Sequence, residues 1–113
     1  MLASEHRLKG ESAFEKIRKE GKLFQGQNFG IAIINRDDGG KSRFGFVVSK
    51  KIAKSAVHRN RIKRALRESV RRNLNHFPKG IDAVILTKKS IFKKTTEEIM
   101  RELEIFARET KWK

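Results

Sequence analysis

The sequence contains no cysteine, and proline and tryptophan occur once each among its 113 residues. Without cysteine the chain forms neither disulfides nor thiolate metal sites, which suits a reducing compartment. No stretch approaches the roughly 20 apolar residues that a membrane span needs. The opening "MLASEHRLKG" also lacks the apolar core of a signal peptide. We therefore expect a soluble, intracellular protein of the cytoplasm that does not engage a membrane.

Negative charge is scarce as well. The sequence has 13 acidic residues and 28 lysines and arginines, which gives a formal net charge of +15. Residues 50–72 hold ten of the basic residues and one acid, Glu68, whereas 1–49 and 73–113 each hold nine basic and six acidic residues. An excess of this size favours polyanionic partners. Most of it comes from one segment, so the partner surface is expected there.

The residues of a protein active site are also missing. None of the three histidines has a carboxylate or a nucleophile at a suggestive spacing. Asp37 and Asp38 are adjacent acids in a glycine-containing turn, and the preference of aspartate for turns accounts for both without a catalytic role. No phosphate-cradling GxxxxGK[ST] loop is present, and a carboxylate metal cage would need further ligands. We therefore expect no catalytic residue in the chain and no firmly bound metal.

Hydrophobic patterning predicts the first half of the fold. The stretch "GESAFEKIRKEG" indicates a helix that opens with a Ser12–Glu15 capping box and closes at Gly21 in the left-handed conformation. Two β-rich runs then bracket the turn "RDDGGKS". They predict an antiparallel hairpin with strands at about 23–35 and 43–49.

The second half is predicted to begin with a long helix over about 56–75, with Ser55 as its N-cap. The run "IDAVILT" is typical of an inner strand covered on both faces. A last helix opens with a Thr95–Glu98 capping box. The order αββαβα predicts an α+β protein, an α-β sandwich. No repeat, linker or low-complexity tract divides the chain, so we expect a single domain over 1–113.

The long helix is predicted to be two-sided, because apolar and cationic residues separate at 100° per residue. Guanidinium groups fixed along a helix match phosphate oxygens in pairs and can follow a nucleic-acid backbone. A solvated helix face or a membrane-surface helix remain alternatives. The side expected to face the core carries Ile62, Ala65, Leu66, Ser69, Val70 and Asn73.

Aromatic residues give a second indication of nucleic acid. Phenylalanines on the first helix and the strands could form a platform for unpaired bases, each worth about 1–3 kcal/mol. Most phenylalanines serve the core, however, and the pattern does not separate the two roles. The candidates are Phe14, Phe29, Phe44 and Phe46.

The stretch "SKKIAKSAVHRNRIKRALRES" closes a predicted strand with two lysines and opens the basic helix. It resembles the signature of the bacterial ribonuclease P protein subunits. The stretches "RLKGESAFEKIRKEG", "FGFVVSKK" and "GIDAVILTKK" resemble the opening, second strand and third strand of that family. The resemblance therefore covers nearly the whole chain. It implies an α-β sandwich with a left-handed βαβ crossover, like ribosomal protein S5 domain 2.

The resemblance also implies a function. In that family the RNA subunit is the catalyst and uses Mg²⁺ to remove the 5′ leader of precursor tRNA. The protein subunit would bind the catalytic RNA through its basic helix. It would hold the single-stranded leader in a cleft between the sheet and the first helix. The implied partners are the catalytic RNA and precursor tRNA, with no obligate protein partner, and the Mg²⁺ belongs to the RNA active site.

Carried over to this sequence, the family pattern assigns two sets of residues. The set expected to contact the catalytic RNA is Arg59, Asn60, Arg61, Lys63, Arg64, Arg67 and Arg71. The set expected at the leader cleft is Phe14, Arg18, Phe29, Lys50, Lys51, Lys54 and Lys89. Arg18 and Ala32 stand where the family often carries further aromatics. Leader binding is therefore expected to depend more on charge than on stacking.

The residues leave other functions open. A ribosomal or general RNA-binding protein without a role in cleavage has the same charge pattern. A protein-only nuclease would have to cleave precursor tRNA without added RNA, for which the sequence offers no active site. A helix-turn-helix DNA-binding protein needs a supporting helix pair, and the strands beside the basic helix do not supply it.

Overall fold

The computed structural model describes residues 2–36 and 38–112, so Asp37 of the predicted acidic turn lies outside the described residues. This part of the chain forms three α-helices, four strands and three short 3₁₀ turns. No helix in it has both the length and the apolar character to cross a bilayer. The elements in chain order are α1 (Glu11–Glu20), β1 (Lys22–Gln25), β2 (Phe29–Asn35), β3 (Arg43–Val47), α2 (Ala56–Arg72), β4 (Ile81–Thr87) and α3 (Thr96–Glu109).

The four strands form one sheet in the order β1-β2-β4-β3. Strands β1 and β2 pair antiparallel, as do β2 and β4, whereas β3 pairs parallel with β4. The predicted α+β class is confirmed, and the run "IDAVILT" is confirmed as an inner strand. The segment β3-α2-β4 is therefore a parallel crossover unit. Its left-handed sense stays a prediction.

Two details of the predicted sheet are wrong. The strand expected over 23–35 is two strands, because the chain turns back between Gly26 and Phe29, where the Gly26 amide donates to the Phe29 carbonyl over 2.7 Å. The expected hairpin between this region and 43–49 does not form either. Strand β4 inserts between β2 and β3, because an apolar inner strand needs a hydrogen-bonding partner on each edge.

The two faces of the sheet are covered by different helices. Helices α2 and α3 pack on one face over the main core. Helix α1 packs on the other face through Ile17, over a smaller cluster that includes Ala32 and Val84. All six residues predicted on the apolar side of α2 are buried. Fully burying each large aliphatic side chain contributes roughly 1.5–3 kcal/mol, so this stripe fixes which side of α2 faces solvent.

The predicted starts of α2 and α3 are both confirmed, and α3 also has its predicted capping box. There Thr95 and Glu98 form the predicted capping box, with bonds of 3.1 and 2.9 Å. Helix α1 instead begins at Glu11 after Gly10, without a side-chain cap, so Ser12 lies inside the helix. Gly21 is extended, with φ −74°, because the chain passes directly into β1.

Helix α2 begins at Ala56, as predicted, but ends earlier than predicted. Ser55 is its N-cap residue, but the Ser55 side chain makes no capping bond. The helix ends at Arg72, three residues before the predicted end, and a 3₁₀ turn over Leu74–His76 follows.

Candidate nucleic-acid interface

The solvent-facing side of α2 presents polar and cationic side chains that have no hydrogen-bonding or ion-pair partner in the described part of the chain. Asn60, Lys63 and Arg64 make no hydrogen bond or ion pair with other described residues. A shallow groove of about 570 Å³ runs along this side, lined by Asn60, Arg64, Arg67 and Glu68. The apolar stripe on the opposite side holds the helix in place, so these donors project at fixed spacing.

Arg67 is the most constrained of these cations. Its guanidinium lies 5.9 Å from the centre of the Phe46 ring on β3. Burial lowers the pKa of Arg67 from its usual value, and repulsion from Arg7 and Arg64 lowers it further. Arginine nevertheless stays charged at neutral pH. Arg7 and Arg64 thus both repel the Arg67 guanidinium, and a phosphate bound beside Arg67 would relieve that repulsion.

Arg7 is a member of this cluster that the sequence analysis missed. The N-terminal segment pairs with the outer edge of β3, where the Leu8 amide donates to the Phe44 carbonyl over 2.9 Å. The Arg7 Nε also donates to the Leu2 carbonyl over 3.1 Å. The pairing of two segments far apart in the chain brings Arg7 to α2, and no local pattern signals such a pairing.

Two arginines elsewhere in the fold, Arg36 and Arg43, share one carboxylate. Asp82 on β4 accepts hydrogen bonds from Arg36 at 2.6 Å and from Arg43 at 2.7 and 2.8 Å. The Arg43 pKa is raised, chiefly by its hydrogen bond to Asp82. The contrast with Arg64 and Arg67 indicates that the surplus charge on α2 is not a general property of the surface.

Two arginines predicted to contact RNA are engaged within the protein instead. Arg59 Nη1 donates to the backbone carbonyls of Ala53 and Lys54 over 2.9 and 2.7 Å. Arg61 donates to the carbonyls of Lys94 and Phe92 over 3.1 and 3.4 Å. These bonds tie the segments before α2 and before α3 to the first turns of α2. The structure therefore gives Arg59 and Arg61 a positioning role, and their contact with RNA stays a prediction.

Arg71 is also partly neutralised. Its Nη2 and Nε donate to the Glu68 carboxylate over 2.6 and 2.8 Å, and Arg72 Nε lies 3.3 Å from the same group. The hydrogen bond from Arg71 lowers the pKa of Glu68 to about 2. Glu68 thus stays ionised at all ordinary pH values, and Arg71 contributes less free charge than Arg64 or Arg67.

The Glu68 pKa predicts a pH dependence of stability. Because the folded pKa lies below the ordinary value of 4.5, the stabilisation is complete above pH 4.5 and is lost as pH falls toward 2. Glu68→Gln should therefore lower the thermal midpoint at pH 6, and its difference from the wild type should shrink as pH falls. Thermal melts at low salt from pH 6 to 2.5 would measure this. Glu104→Gln on α3 is the control, and an equal, pH-independent difference in both variants would contradict the assignment.

On the opposite face of the sheet, α1 and β3 enclose an open groove of about 670 Å³. It is lined by Leu8, Gly10, Glu11, Phe14, Glu15, Arg18 and Val47. A second groove of about 470 Å³ shares Arg18 and Val47 with the first and adds Ser49, Lys50, Lys51, Leu86 and Thr87. We call the two together the α1 groove. It is acidic at one end, where Glu15 pairs with Arg18 over 3.0 Å, and basic at the other.

The Phe14 ring lies directly over Gly45 of β3. A Cβ atom added at Gly45 would lie only 2.4 Å from Phe14 Cζ. The missing side chain therefore makes room for the ring, which is half-buried and lines the α1 groove. One side of the ring packs on the sheet while part of it stays open to a ligand.

The predicted leader-cleft residues are only partly brought together. Phe14, Arg18, Lys50 and Lys51 all line the α1 groove. Lys54 and Lys89 are exposed and line neither part of it.

Phe29 requires a correction. It is 0% exposed, belongs to the main core on the opposite face, and lies 5.3 Å from the Phe106 ring. Alternation along β2 directs it away from α1, so it is a core residue in this fold. Phe44 is also buried, 5.0 Å from the Phe77 ring.

No group of three or more histidine, aspartate or glutamate side chains within 2–36 and 38–112 is arranged to hold a metal ion. The fold, the unpaired cations of α2 and the groove beside α1 together define a basic α+β protein whose surface suits a nucleic-acid backbone. Comparisons with known proteins identify the family.

The family model described as Ribonuclease P matches residues 2–111. The ribonuclease P protein component of Finegoldia magna is 44% identical over 84 residues, which cover 74% of this chain and 72% of that protein. That of Bacillus cereus strain Q1 is 32% identical over 102 residues, covering 90% and 88%. The chain therefore belongs to the ribonuclease P protein family, whose members are protein components of a tRNA-processing nuclease and associate with its RNA. The resemblance stated from the sequence is confirmed.

Solved structures agree with this assignment. The RNase P protein of Staphylococcus aureus superposes with a TM-score of 0.80 at 31% identity, covering 88% of this chain and 89% of that one. The RNase P protein of Thermotoga maritima gives 0.81 at 29% identity, covering 93% and 100%. The mixed α+β fold read from the sequence thus matches the structures of family members, with the first predicted strand divided into β1 and β2.

Proposed function

We propose that this chain assists an RNA-catalysed cleavage by binding two RNA segments, the catalytic RNA along α2 and the 5′ leader of precursor tRNA in the α1 groove. The observation that carries the proposal is the groove along α2, which Arg64 and Arg67 line and in which Arg7 and Arg64 both repel Arg67. Cations held together against their own repulsion suit a polyanion that completes the site.

The two surfaces meet at β3. Phe46 and Val47 are consecutive residues of this edge strand, so their side chains point to opposite faces of the sheet. Phe46 supports Arg67 on the α2 side, and Val47 lines the α1 groove on the other. Two RNA segments bound at these sites would approach one another around one edge of the sheet, with the protein's cations lowering their mutual repulsion.

The α1 groove suits a single strand. Such strands are bound by combining aromatic stacking with cations that follow the backbone. Phe14 supplies one aromatic ring, and Arg18, Lys50 and Lys51 supply cations along the same groove. Arg59 holds the neighbouring Lys54 segment through its backbone, so part of the α2 sequence helps to shape the approach to this groove.

The metal chemistry is proposed to reside in the RNA. Mg²⁺ would be held by the RNA and would supply the activation of water there. The protein's own contribution is to bind and orient the two RNAs and to neutralise phosphates, which steepens the salt dependence of binding.

Reconstitution tests this proposal. A catalytic ribonuclease P RNA at limiting magnesium should regain cleavage of precursor tRNA when the protein is added, and the protein alone should cleave nothing. Binding of the RNA without any effect on cleavage would favour a general RNA-binding protein. Cleavage by the protein without added RNA would favour a protein-only nuclease.

Phe14→Ala is expected to weaken binding of precursors with long leaders by about tenfold, because one base–aromatic contact is lost. Leaderless substrate should be affected less than threefold. Titration of the reconstituted enzyme with both substrates measures the difference. Phe14→Leu is the matched control, since it keeps apolar contact with Gly45 but removes the ring. Equal losses on both substrates would assign Phe14 to packing alone.

A further inference from the structure

A second aromatic surface lies outside both sites described above. Phe92 is 40% exposed on the 3₁₀ turn Lys89–Lys93, and its ring packs edge-to-face against His58 at the start of α2, with 5.3 Å between centroids. Val57, beside His58, is 75% exposed. We call Val57, His58 and Phe92 the α2-entry patch. None of the three lines the α1 groove or the groove along α2.

The α2-entry patch is held rigidly although it is exposed. Arg61 donates to the carbonyls of Phe92 and Lys94, which fastens the 3₁₀ turn to α2. The neighbouring Ile91 is 1% exposed and anchors the same turn in the main core. A ring fixed in this way loses little conformational freedom on binding, which favours a ligand that stacks on it.

The positive charge around the α2-entry patch favours an anionic ligand. The segment "KKSIFKK" over 88–94 places two pairs of lysines around Phe92 and contains no acid. Lys88 donates to the Gly26 carbonyl, whereas Lys89 and Lys93 are exposed. The first acid of α2 is Glu68, more than two turns beyond His58. A stacking surface bordered by cations complements a nucleobase and its phosphates.

We propose that Phe92 and His58 form a stacking site for one unpaired nucleotide of RNA, with Lys89 and Lys93 contacting the flanking phosphates. The inference rests on the proposed function, because RNA that follows the cationic side of α2 would reach the start of that helix. It adds a third contact to the α2 surface and the α1 groove. It also gives Arg61 a defined task, which is to position Phe92.

The test is direct binding of a transcribed ribonuclease P RNA to the full chain and its variants. Phe92→Ala and Phe92→Leu should each weaken binding about tenfold, and Phe92→Trp should restore it, because stacking needs an aromatic face. The slope of log affinity against log salt should not change in any of them, since no charge is removed. Thermal midpoints within a few degrees of wild type show that the scaffold is intact.

Several outcomes would overturn the inference. Wild-type affinity in Phe92→Ala would remove the site, and wild-type affinity in Phe92→Leu would reduce it to apolar packing. Wild-type affinity for RNA in Phe92→Ala, combined with lost binding to anionic phospholipid vesicles, would reassign the patch to a membrane surface. If the wild-type chain bound no such RNA, the proposed function itself would fail. If the wild-type chain bound the RNA and the Phe92 variants bound it equally well, only the stacking site would fail.

Discussion

Phe29→Ala is expected to lower the free energy of unfolding by about 3–5 kcal/mol. The side chain is fully buried between the sheet and α3, next to Phe106, so truncation leaves a cavity that the packed core cannot fill. Folded domains are stable by only about 5–15 kcal/mol, and the loss would remove a large share of that. Denaturant titration of the wild type and the variant measures the change.

Two further variants separate this effect from a role in leader binding. Phe92→Ala removes a half-exposed ring and should cost less than about 1 kcal/mol. Phe29→Leu keeps most of the buried volume and should stay folded enough for binding assays, with equal affinity for long-leader and leaderless precursors. A stable Phe29→Ala variant with a selective loss of long-leader binding would return Phe29 to the cleft.

Arg67→Ala is expected to weaken binding of ribonuclease P RNA about tenfold and to make the log–log salt slope shallower by roughly one. Arg67 is a partly buried cation beside Arg7 and Arg64, and its removal would delete the phosphate contact that we propose for it. The free energy of unfolding should change by less than about 0.5 kcal/mol. The substitution removes the cation–π contact with Phe46, but it also removes the repulsion of Arg67 by Arg7 and Arg64.

Arg108→Ala is the matched control for this prediction. Arg108 is an exposed arginine near the end of α3, so its removal lowers the net charge by the same amount without touching the cluster. Filter binding at several salt concentrations compares the two variants. If Arg67→Ala kept the wild-type slope, or if Arg108→Ala reduced the slope equally, the affinity would reflect net charge and not a located phosphate contact.

Local sequence patterns predict the helices and much of the core. The apolar side of α2 is set by the 3.6-residue period, and the Thr95–Glu98 capping box is predicted correctly from its spacing, whereas the same spacing at Ser12–Glu15 does not form a cap. The strand partners depend on contacts between distant segments. Nothing near residues 43–49 in the sequence indicates that β4, more than thirty residues on, pairs there instead of β2.

The candidate site, too, is predicted from the sequence only as far as local patterns allow. Periodicity and family resemblance identify the cationic side of α2, yet they assign equal roles to all its arginines. The structure distinguishes Arg59 and Arg61, whose donors hold backbone carbonyls, from Arg64 and Arg67, which pair with no carboxylate within residues 2–36 and 38–112. That distinction depends on which loops lie beside the helix. Phe92 lies between two pairs of lysines in the sequence, and this pattern could have been used to predict an exposed aromatic ring bordered by cations.

The pairing of residues 7 and 8 with Phe44 has a consequence for the protein before it meets RNA. An outer strand with bare amides and carbonyls is a template on which a second molecule can add its own strand and begin to aggregate. Here the chain's own leading segment occupies part of that edge. The strand that borders both proposed RNA-binding surfaces is thereby partly shielded from intermolecular β-sheet growth while no ligand is bound.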